Sequence, residues 1–310
     1  MQNANSPDLK QKKILSPKMD VVFQVLFGEE GSEEITRKFL EAVLKENITK
    51  VDLSRNPILR RMHLDDKMGI LDVIAEIDDR EYCNVEMQMT NEEDIVKRLL
   101  YYWARTYAKN IHRGDEYKSL KRTIAVLIAD FEINGLEKLT YYSKWKLIEE
   151  KDRKIILTDM IELIIIELPK IYKVSSKDDK LLEWTYFLDN PNSGEVEKIM
   201  KENDDIKMAN DKLEEISNDE IMQRIAEWRE DGIRLEKSRR SRAERELKEA
   251  KEKALKEGHE QGMQQGMQQG IQQGIQQGMQ QGMQQGIQQG MQQELEDGRK
   301  QGVEEGIKQG

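Results

Sequence analysis

Apolar and polar residues alternate along residues 69–89, which predicts two β-strands. Every odd position from 69 to 77 is apolar or glycine. The Asp-Asp-Arg sequence that follows has the composition of a turn. After the turn, apolar residues alternate with Asn84, Glu86 and Gln88. The pattern therefore predicts a β-hairpin whose second strand presents Glu86 and Gln88 on one face.

The length of the turn decides which side chains meet across this hairpin. A three-residue loop at 79–81 would place Asp72 opposite Gln88 and next to Glu86. A two-residue loop would instead place Asp72 opposite Met87. We predict the three-residue loop, because it also keeps the apolar residues of both strands on one face.

Hydrophobic periodicity elsewhere predicts helices that alternate with buried strands. Strands separated by helices indicate an α/β or α+β sheet. A cluster of Asp, Asn, Pro, Ser and Gly at 189–194 predicts a boundary after this sheet domain. The predicted helices are 20–28, 32–46, 94–113 and 180–188, the predicted buried strands are 122–131 and 155–168, and a further extended stretch is 139–142.

The predicted helix 94–113 carries only basic charged residues after Asp94, with aromatic residues between them. This pattern is typical either of a solvated helix face or of a surface that contacts phosphates. Phosphate contact is favoured, because the helix directly follows the Glu86–Gln88 strand. The candidate DNA-binding residues are Lys97, Arg98, Arg105 and Lys109.

The remaining segments differ from the sheet domain in composition. Residues 1–13 are polar and predicted to be disordered, 14–190 form the predicted domain, and 195–257 form a charged helical extension. Residues 262–293 are eight tetrads of Gly-(Met/Ile)-Gln-Gln. On a helix the apolar stripe drifts by about 40° per tetrad, and each Gly costs about 1 kcal/mol relative to Ala. We therefore expect 258–310 to be disordered or a marginal helix, with right-handed self-association as the alternative.

Composition and charge narrow the functional classes. The formal net charge of −10 disfavours broad nucleic-acid binding, although local basic groups can still bind DNA. Cys83 is the only cysteine, which excludes a disulfide within the chain and predicts a reducing compartment. No apolar run reaches about 18 residues, and the N-terminus lacks a signal-peptide core. These features predict a soluble cytoplasmic protein without a membrane partner.

The two carboxylates of Asp72 and Glu86 and the amide of Gln88, on one half-buried face of the predicted hairpin, need a chemical explanation. Burying unpaired carboxylates costs roughly several kcal/mol, and a divalent cation would offset that cost. Hard oxygen ligands suit Mg²⁺ or Mn²⁺, which would activate water and neutralise a phosphate. The alternative is a solvated edge hairpin with ordinary surface acids. An acid followed by Glu-x-Gln is too short a signal to choose between these two interpretations.

Four stretches together resemble one nuclease family more specifically than Glu-x-Gln does alone. They are VEMQ at Val85–Gln88, SPKMDVVFQVLFG, RLLYYWARTYAKNIHRGDEY and LKRTIAVLIADFEI. They resemble the recombination-promoting nucleases, also called PD-(D/E)XK family transposases, over roughly residues 14–260. The resemblance implies a restriction-endonuclease-like mixed sheet flanked by helices, followed by the charged extension and the Gly/Gln tail. Asp20 either caps the first helix or, as the resemblance implies, lies beside the metal site on the hairpin.

The resemblance also implies an activity and a set of site residues. It implies a Mg²⁺-dependent endonuclease that hydrolyses DNA phosphodiester bonds and promotes recombination or transposition. Asp72 and Glu86 would hold Mg²⁺ or Mn²⁺, with the Met87 carbonyl as a further ligand. Gln88 would orient the attacking water, but it stands where the superfamily has Lys and carries no charge.

The alternative function is that of a catalytically weak or inactive nuclease-fold protein that interacts with partners. Such a protein would self-associate through its C-terminal extension into a homo-oligomer. Neither function calls for a small-molecule cofactor.

Overall fold

The computed structural model divides the chain into a first compact unit, Met1–Asp231, and a second unit, Gly232–Gly310. The predicted disordered N-terminus and Asp72 lie outside the described residues. The structure describes residues 14–53, 73–91, 94–174 and 179–308.

One mixed sheet forms the centre of the first unit and contains six strands within the described residues. The strands are β1 (Val51–Asp52), β2 (Val73–Ile77), β3 (Glu81–Gln88), β4 (Arg122–Ala129), β5 (Tyr142–Ile148) and β6 (Ile156–Glu167). Their order in the sheet is β1-β2-β3-β4-β6-β5. β4 pairs in parallel with β3 and β6, and the other neighbouring strands are antiparallel.

The described residues contain seven α-helices and two short 3₁₀ helices. The α-helices are α1 (Asp20–Gly28), α2 (Glu33–Leu44), α3 (Ile95–Ala108), α4 (Lys180–Asp189), α5 (Gly194–Glu202), α6 (Asp204–Asn218) and α7 (Glu220–Lys308). The 3₁₀ helices are Tyr117–Ser119 and Leu168–Lys173. The predicted helix 94–113 ends five residues early, at Ala108. The predicted extended stretch 139–142 lies just before and at the start of β5.

Helices cover both faces of β4, which explains its continuous apolar sequence. From Thr123 to Ala129 every residue is buried. On one face, Leu127 packs with Ile95 and Leu99 of α3. On the other face, Ile128 belongs to the larger core that α1, α2, α4, α5 and α6 complete. A strand buried on both faces has no polar side to expose, so its sequence shows no alternation.

An aromatic cluster joins α1, α2 and α4 on the face of the sheet opposite α3. Trp184 of α4 is 1% exposed. Its ring centroid lies 6.0 Å from that of Phe27, 5.5 Å from that of Phe39 and 6.2 Å from that of Phe187. Tilted and edge-on arrangements of this kind add to the free energy gained by burial. The cluster therefore fixes these three helices against one another.

The helices that follow the predicted boundary at 189–194 pack into the same core. Val196 of α5 and Ile206 and Leu213 of α6 are fully buried within it. The division between the two units falls after Asp231 instead. Part of the predicted charged extension, residues 195–231, therefore completes the sheet domain. The sparse apolar positions in this highly charged segment are sufficient for packing, because each α-helix buries only one stripe.

The Gly-(Met/Ile)-Gln-Gln repeats of the second unit lie within α7 and are helical. Every side chain described between Gly232 and Val303 is exposed. The Met and Ile side chains of the repeats are 53–76% exposed. The second unit therefore buries no apolar core among its described residues.

Deletion of residues 258–310 is expected to shift the thermal midpoint of the first unit by less than about 1 °C, because exposed side chains away from special contacts contribute little stability. Circular dichroism of full-length and shortened chains measures the shift. The matched control is a chain that ends before Gly194 and so lacks α5 and α6. Since it exposes the core around Ile206 and Leu213, it should unfold at a much lower temperature. A large shift on removing only the repeats would contradict the prediction.

Candidate active site

The hairpin of β2 and β3 has a three-residue loop at 78–80, so the predicted loop at 79–81 is corrected by one position. Ile77 is the partner of Glu81, and Val73 is the partner of Val85. Asp78 has a φ of 50°, a conformation that Asp adopts more readily than most residues. The pairing is therefore displaced by two residues from the predicted one. An even displacement leaves the even-numbered residues of both strands on a common face, as predicted.

The end of β3 carries Glu86 and Gln88 on the face of the sheet that α3 covers. Glu86 is in register with Leu127, and Gln88 is in register with Ala129. Leu127 and Ala129 pack in the small core that includes Leu99 of α3. The helix therefore shields this part of the strand, and Glu86 is only 2% exposed.

Two donors converge on one carboxylate oxygen of Glu86. Gln88 Nε2 donates to Glu86 Oε1 at 2.6 Å. Arg98 Nη2 of α3 lies 2.6 Å from the same oxygen. A buried carboxylate needs hydrogen bonds and an opposite charge, and this arrangement supplies both. The structure thus brings together two predicted site residues and one predicted DNA-binding residue.

The other predicted DNA-binding residues differ from Arg98 in their surroundings. Lys97 is 82% exposed and pairs with Asp94 at the start of α3. Arg105 is half-buried, and Lys109 is exposed just after the helix ends. Arg98 instead has its guanidinium 5.7 Å from the centre of the Tyr102 ring and points to Glu86. The basic residues of α3 therefore do not form one uniform surface.

Asn84 extends the polar row on β3 toward the start of the strand, and sequence reasoning did not single it out. It is buried, and its Oδ1 has no hydrogen-bond partner among the described residues. Its spacing of two residues from Glu86 was the available signal, since alternate residues of a strand share a face. Sequence reasoning also missed that Arg98 pairs with Glu86, because spacing along the chain does not reveal a contact between a helix and a strand.

The contacts of the Asp20 carboxylate explain its position without a bound metal ion. Its Oδ1 accepts a hydrogen bond from the backbone N–H of Val21 at 2.8 Å. Its Oδ2 lies 3.4 Å from Arg229 of α7. Met19, rather than Asp20, occupies the N-cap position of α1. Asp20 therefore does not cap α1, which corrects that prediction, although its carboxylate accepts a hydrogen bond at the helix start.

A protein-family model described as PD-(D/E)XK nuclease family transposase matches residues 17–256. The chain belongs to this family. The match confirms the resemblance and the restriction-endonuclease-like α/β fold, and it includes both β3 and α3. No curated protein and no solved structure matches the chain.

Family membership supports a nuclease- or transposase-like role, and it implies DNA as the substrate. PD-(D/E)XK nucleases generally use divalent metal ions. Among the described residues, none of the helices has the length and apolar character needed to cross a membrane.

The donor types in this PD-(D/E)XK chain fit a divalent cation, but the described ligand set is small. The carboxylate of Glu86 and the amide oxygen of Gln88 are hard donors of the kind that Mg²⁺ and Mn²⁺ prefer. In the described part of the chain, no three His, Cys, Asp or Glu side chains are grouped to hold a metal ion. Asp72, the second predicted carboxylate, lies outside that part. A cation at Glu86 would need a further carboxylate of this kind.

A second buried carboxylate of the nuclease domain, Glu162 on β6, lies among basic side chains. Its oxygens are 3.0 Å from Arg122 Nη2, 2.8 Å from Lys144 Nζ and 3.5 Å from Lys146 Nζ. Burial alone would raise the pKa of the Glu162 carboxyl, but the hydrogen bond from Lys144 and the charge of Arg122 hold that pKa below its ordinary value. We therefore assign Glu162 to a structural ion cluster.

Proposed function

We propose that this chain is a metal-dependent DNA endonuclease that hydrolyses phosphodiester bonds and promotes recombination or transposition. The observation that carries the proposal is that Glu86 is buried beside Gln88 and under α3. The chain that places these residues together belongs to a nuclease family. Burying a charged carboxylate is costly, and either ion pairs, as at Glu162, or a bound cation can offset that cost; membership of a nuclease family favours a cation at Glu86. The proposed catalytic residues are Asp72, Glu86 and Gln88.

Asp72 and Glu86 are proposed to hold Mg²⁺ or Mn²⁺. The assignment of Asp72 rests on its place in the sequence, one residue before Val73, whose partner Val85 precedes Glu86. A bound divalent cation supplies Lewis acidity and an activated water in phosphodiester hydrolysis. Gln88 can accept a hydrogen bond from water and donate one to an oxygen, which suits it to orient the attacking water.

The cations of α3 other than Arg98, together with Lys109 just after the helix, are proposed to position the DNA backbone. Lys97, Arg105 and Lys109 follow β3 in the chain, and α3 covers the face of the sheet that carries Glu86. The exposed pair of Lys97 with Asp94 is weak because solvent screens it, so a phosphate can replace the carboxylate. Contacts of this kind fix the DNA without reading its sequence.

A plasmid-nicking assay with purified full-length protein tests the proposed function. Wild type should nick DNA with Mg²⁺ or Mn²⁺ and not with EDTA, and Asp72→Ala should lose the activity. Asp159→Ala is the matched control, since Asp159 is an exposed acid on β6 outside the proposed site. Wild type that never nicks DNA with either metal would favour the interaction-protein function instead.

Gln88→Ala is expected to slow single-turnover cleavage by about tenfold to a hundredfold, a barrier increase of about 1.4–2.8 kcal/mol. The change removes the donor that contacts Glu86 Oε1 and the amide that orients water. Gln88→Lys should be tolerated, because an ammonium group can donate to the same carboxylate with a stronger, charged hydrogen bond. The three proteins are compared at one fixed Mg²⁺ concentration, and equal rates would exclude Gln88 from the site.

Self-association through the C-terminal extension is a second candidate function. The exposed Met and Ile side chains of α7 favour it, because apolar residues repeated along a helix are available for contact with another chain. Sedimentation velocity of the full chain and of a chain ending at 257 measures it. A monomer at all concentrations would rule out a homo-oligomer formed by the repeats.

A further inference from the structure

Arg98 forms an ion pair with Glu86 at a position where the proposed function requires a metal ion. Its Nη2 lies 2.6 Å from Glu86 Oε1, the oxygen that also accepts from Gln88. Glu86 is almost fully buried, and the positive charge of the guanidinium offsets part of the cost of burying its carboxylate. A divalent cation bound to the same carboxylate would lie close to the guanidinium, and the two positive ions repel each other.

The geometry points to Arg98 as an exchangeable counter-ion of Glu86. We propose that Arg98 pairs with Glu86 when no metal is held there, and that it moves to a non-bridging phosphate oxygen of the DNA when Glu86 binds a divalent cation. This inference rests on the proposed function, and it makes the phosphate contact expected of Arg98 depend on metal binding at Glu86. It also separates Arg98 from the other cations of α3, which do not contact Glu86 in the structure.

Two features of Arg98 suit it to this exchange. Its side chain is 28% exposed while its Nε atom is buried, so the side chain lies at the border between the core and solvent, where a DNA strand can approach. Its backbone is held in place, because the next residue, Leu99, is buried against the sheet. The side chain can therefore change partners while the helix stays fixed. Guanidinium groups bind phosphate as well as carboxylate through paired N–H donors, so either partner can satisfy Arg98.

The exchange would also supply a charge that Gln88 lacks. The amide of Gln88 is neutral, and hydrogen bonds from a charged donor are roughly twice as strong as those from a neutral one. Arg98 on the phosphate would stabilise the negative charge that develops there during hydrolysis. Metal binding and phosphate binding are then linked through one side chain.

Isothermal titration of full-length protein with Mn²⁺ tests the competition directly. Arg98→Gln should bind Mn²⁺ at least about tenfold more tightly than wild type, because the competing cation is gone. At saturating Mn²⁺ the same variant should cleave DNA about a hundredfold more slowly. A purely structural ion pair would give the opposite binding result, since its loss disturbs Glu86. Unchanged or weaker Mn²⁺ binding by folded Arg98→Gln would overturn the inference.

The matched control for binding is Lys97→Gln, which removes the same charge one residue away without a contact to Glu86. Its Mn²⁺ affinity should stay within about twofold of wild type, because exposed charges are screened by solvent. A gain equal to that of Arg98→Gln would show a general charge effect and would also overturn the inference.

A measurement on wild type keeps the inference testable if Arg98→Gln does not fold. The side-chain Nε–H signal of Arg98, identified by comparison with Arg98→Lys, should shift saturably as Mg²⁺ is added. A signal that stays fixed while Mg²⁺ saturates Glu86 would overturn the exchange and leave the nuclease function intact. If Glu86→Gln binds Mn²⁺ as well as wild type does, the proposed metal site fails, and the inference fails with it.

Discussion

Replacing Glu86 with glutamine is expected to reduce DNA cleavage by about 100- to 1000-fold while the protein stays folded. Glutamine has nearly the same shape, so the packing under α3 is kept, but it cannot serve as a charged metal ligand. The loss should appear in the single-turnover rate at saturating DNA, since the change acts on the chemical step rather than on DNA binding. Circular dichroism would show that the variant is folded.

Glu81→Gln is the control for this substitution. Glu81 lies at the opposite end of β3 and pairs with Arg122, away from the proposed site. The control therefore makes the same chemical change on the same strand and should cleave at the wild-type rate. Equal cleavage by wild type and Glu86→Gln would remove Glu86 from the active site.

Replacing Trp184 with alanine is expected to lower the free energy of unfolding by about 3–5 kcal/mol. The side chain is 1% exposed and contacts aromatic rings of α1 and α2, so its loss opens a cavity between three helices. Urea unfolding, followed by the fluorescence of the remaining tryptophans, measures the change.

Trp228→Ala is the matched control for the cavity. Trp228 is 56% exposed, and its contact is with Arg229 beside it. The control should change the free energy of unfolding by less than about 0.5 kcal/mol, as is usual for surface substitutions. A similar loss in both variants would mean that the aromatic cluster does not hold the helices together.

The main elements and the common face of Glu86 and Gln88 follow from local sequence patterns. Alternation predicts the hairpin strands because side chains in a strand change sides at every residue. A continuous apolar run predicts β4, since a strand covered on both faces needs no polar side. These are local consequences of backbone geometry, and they hold wherever the element lies in the fold.

The position of the hairpin loop depends on contacts with a distant part of the chain. Asp78 Oδ1 accepts hydrogen bonds from the backbone N–H groups of Thr49 and Lys50, at 3.0 and 2.8 Å. The Asp78 N–H donates in turn to the Lys50 carbonyl at 3.1 Å. These partners are 28 and 29 residues away in the chain, so the hairpin sequence alone does not contain the reason for a loop at 78–80.

The packing of α3 on the sheet selects the cation that contacts Glu86. The helix sequence offers several cations at similar spacing, and its periodicity indicates one apolar face that includes Ile95 and Leu99. Packing of these two residues against β4 sets the rotation of α3 and brings Arg98 to 2.6 Å from Glu86. A charge pair between a helix and a strand depends on how the two elements pack. Hydrophobic spacing specifies which face of a helix is buried, but it does not specify which residue of another element a charged side chain beside that face will contact.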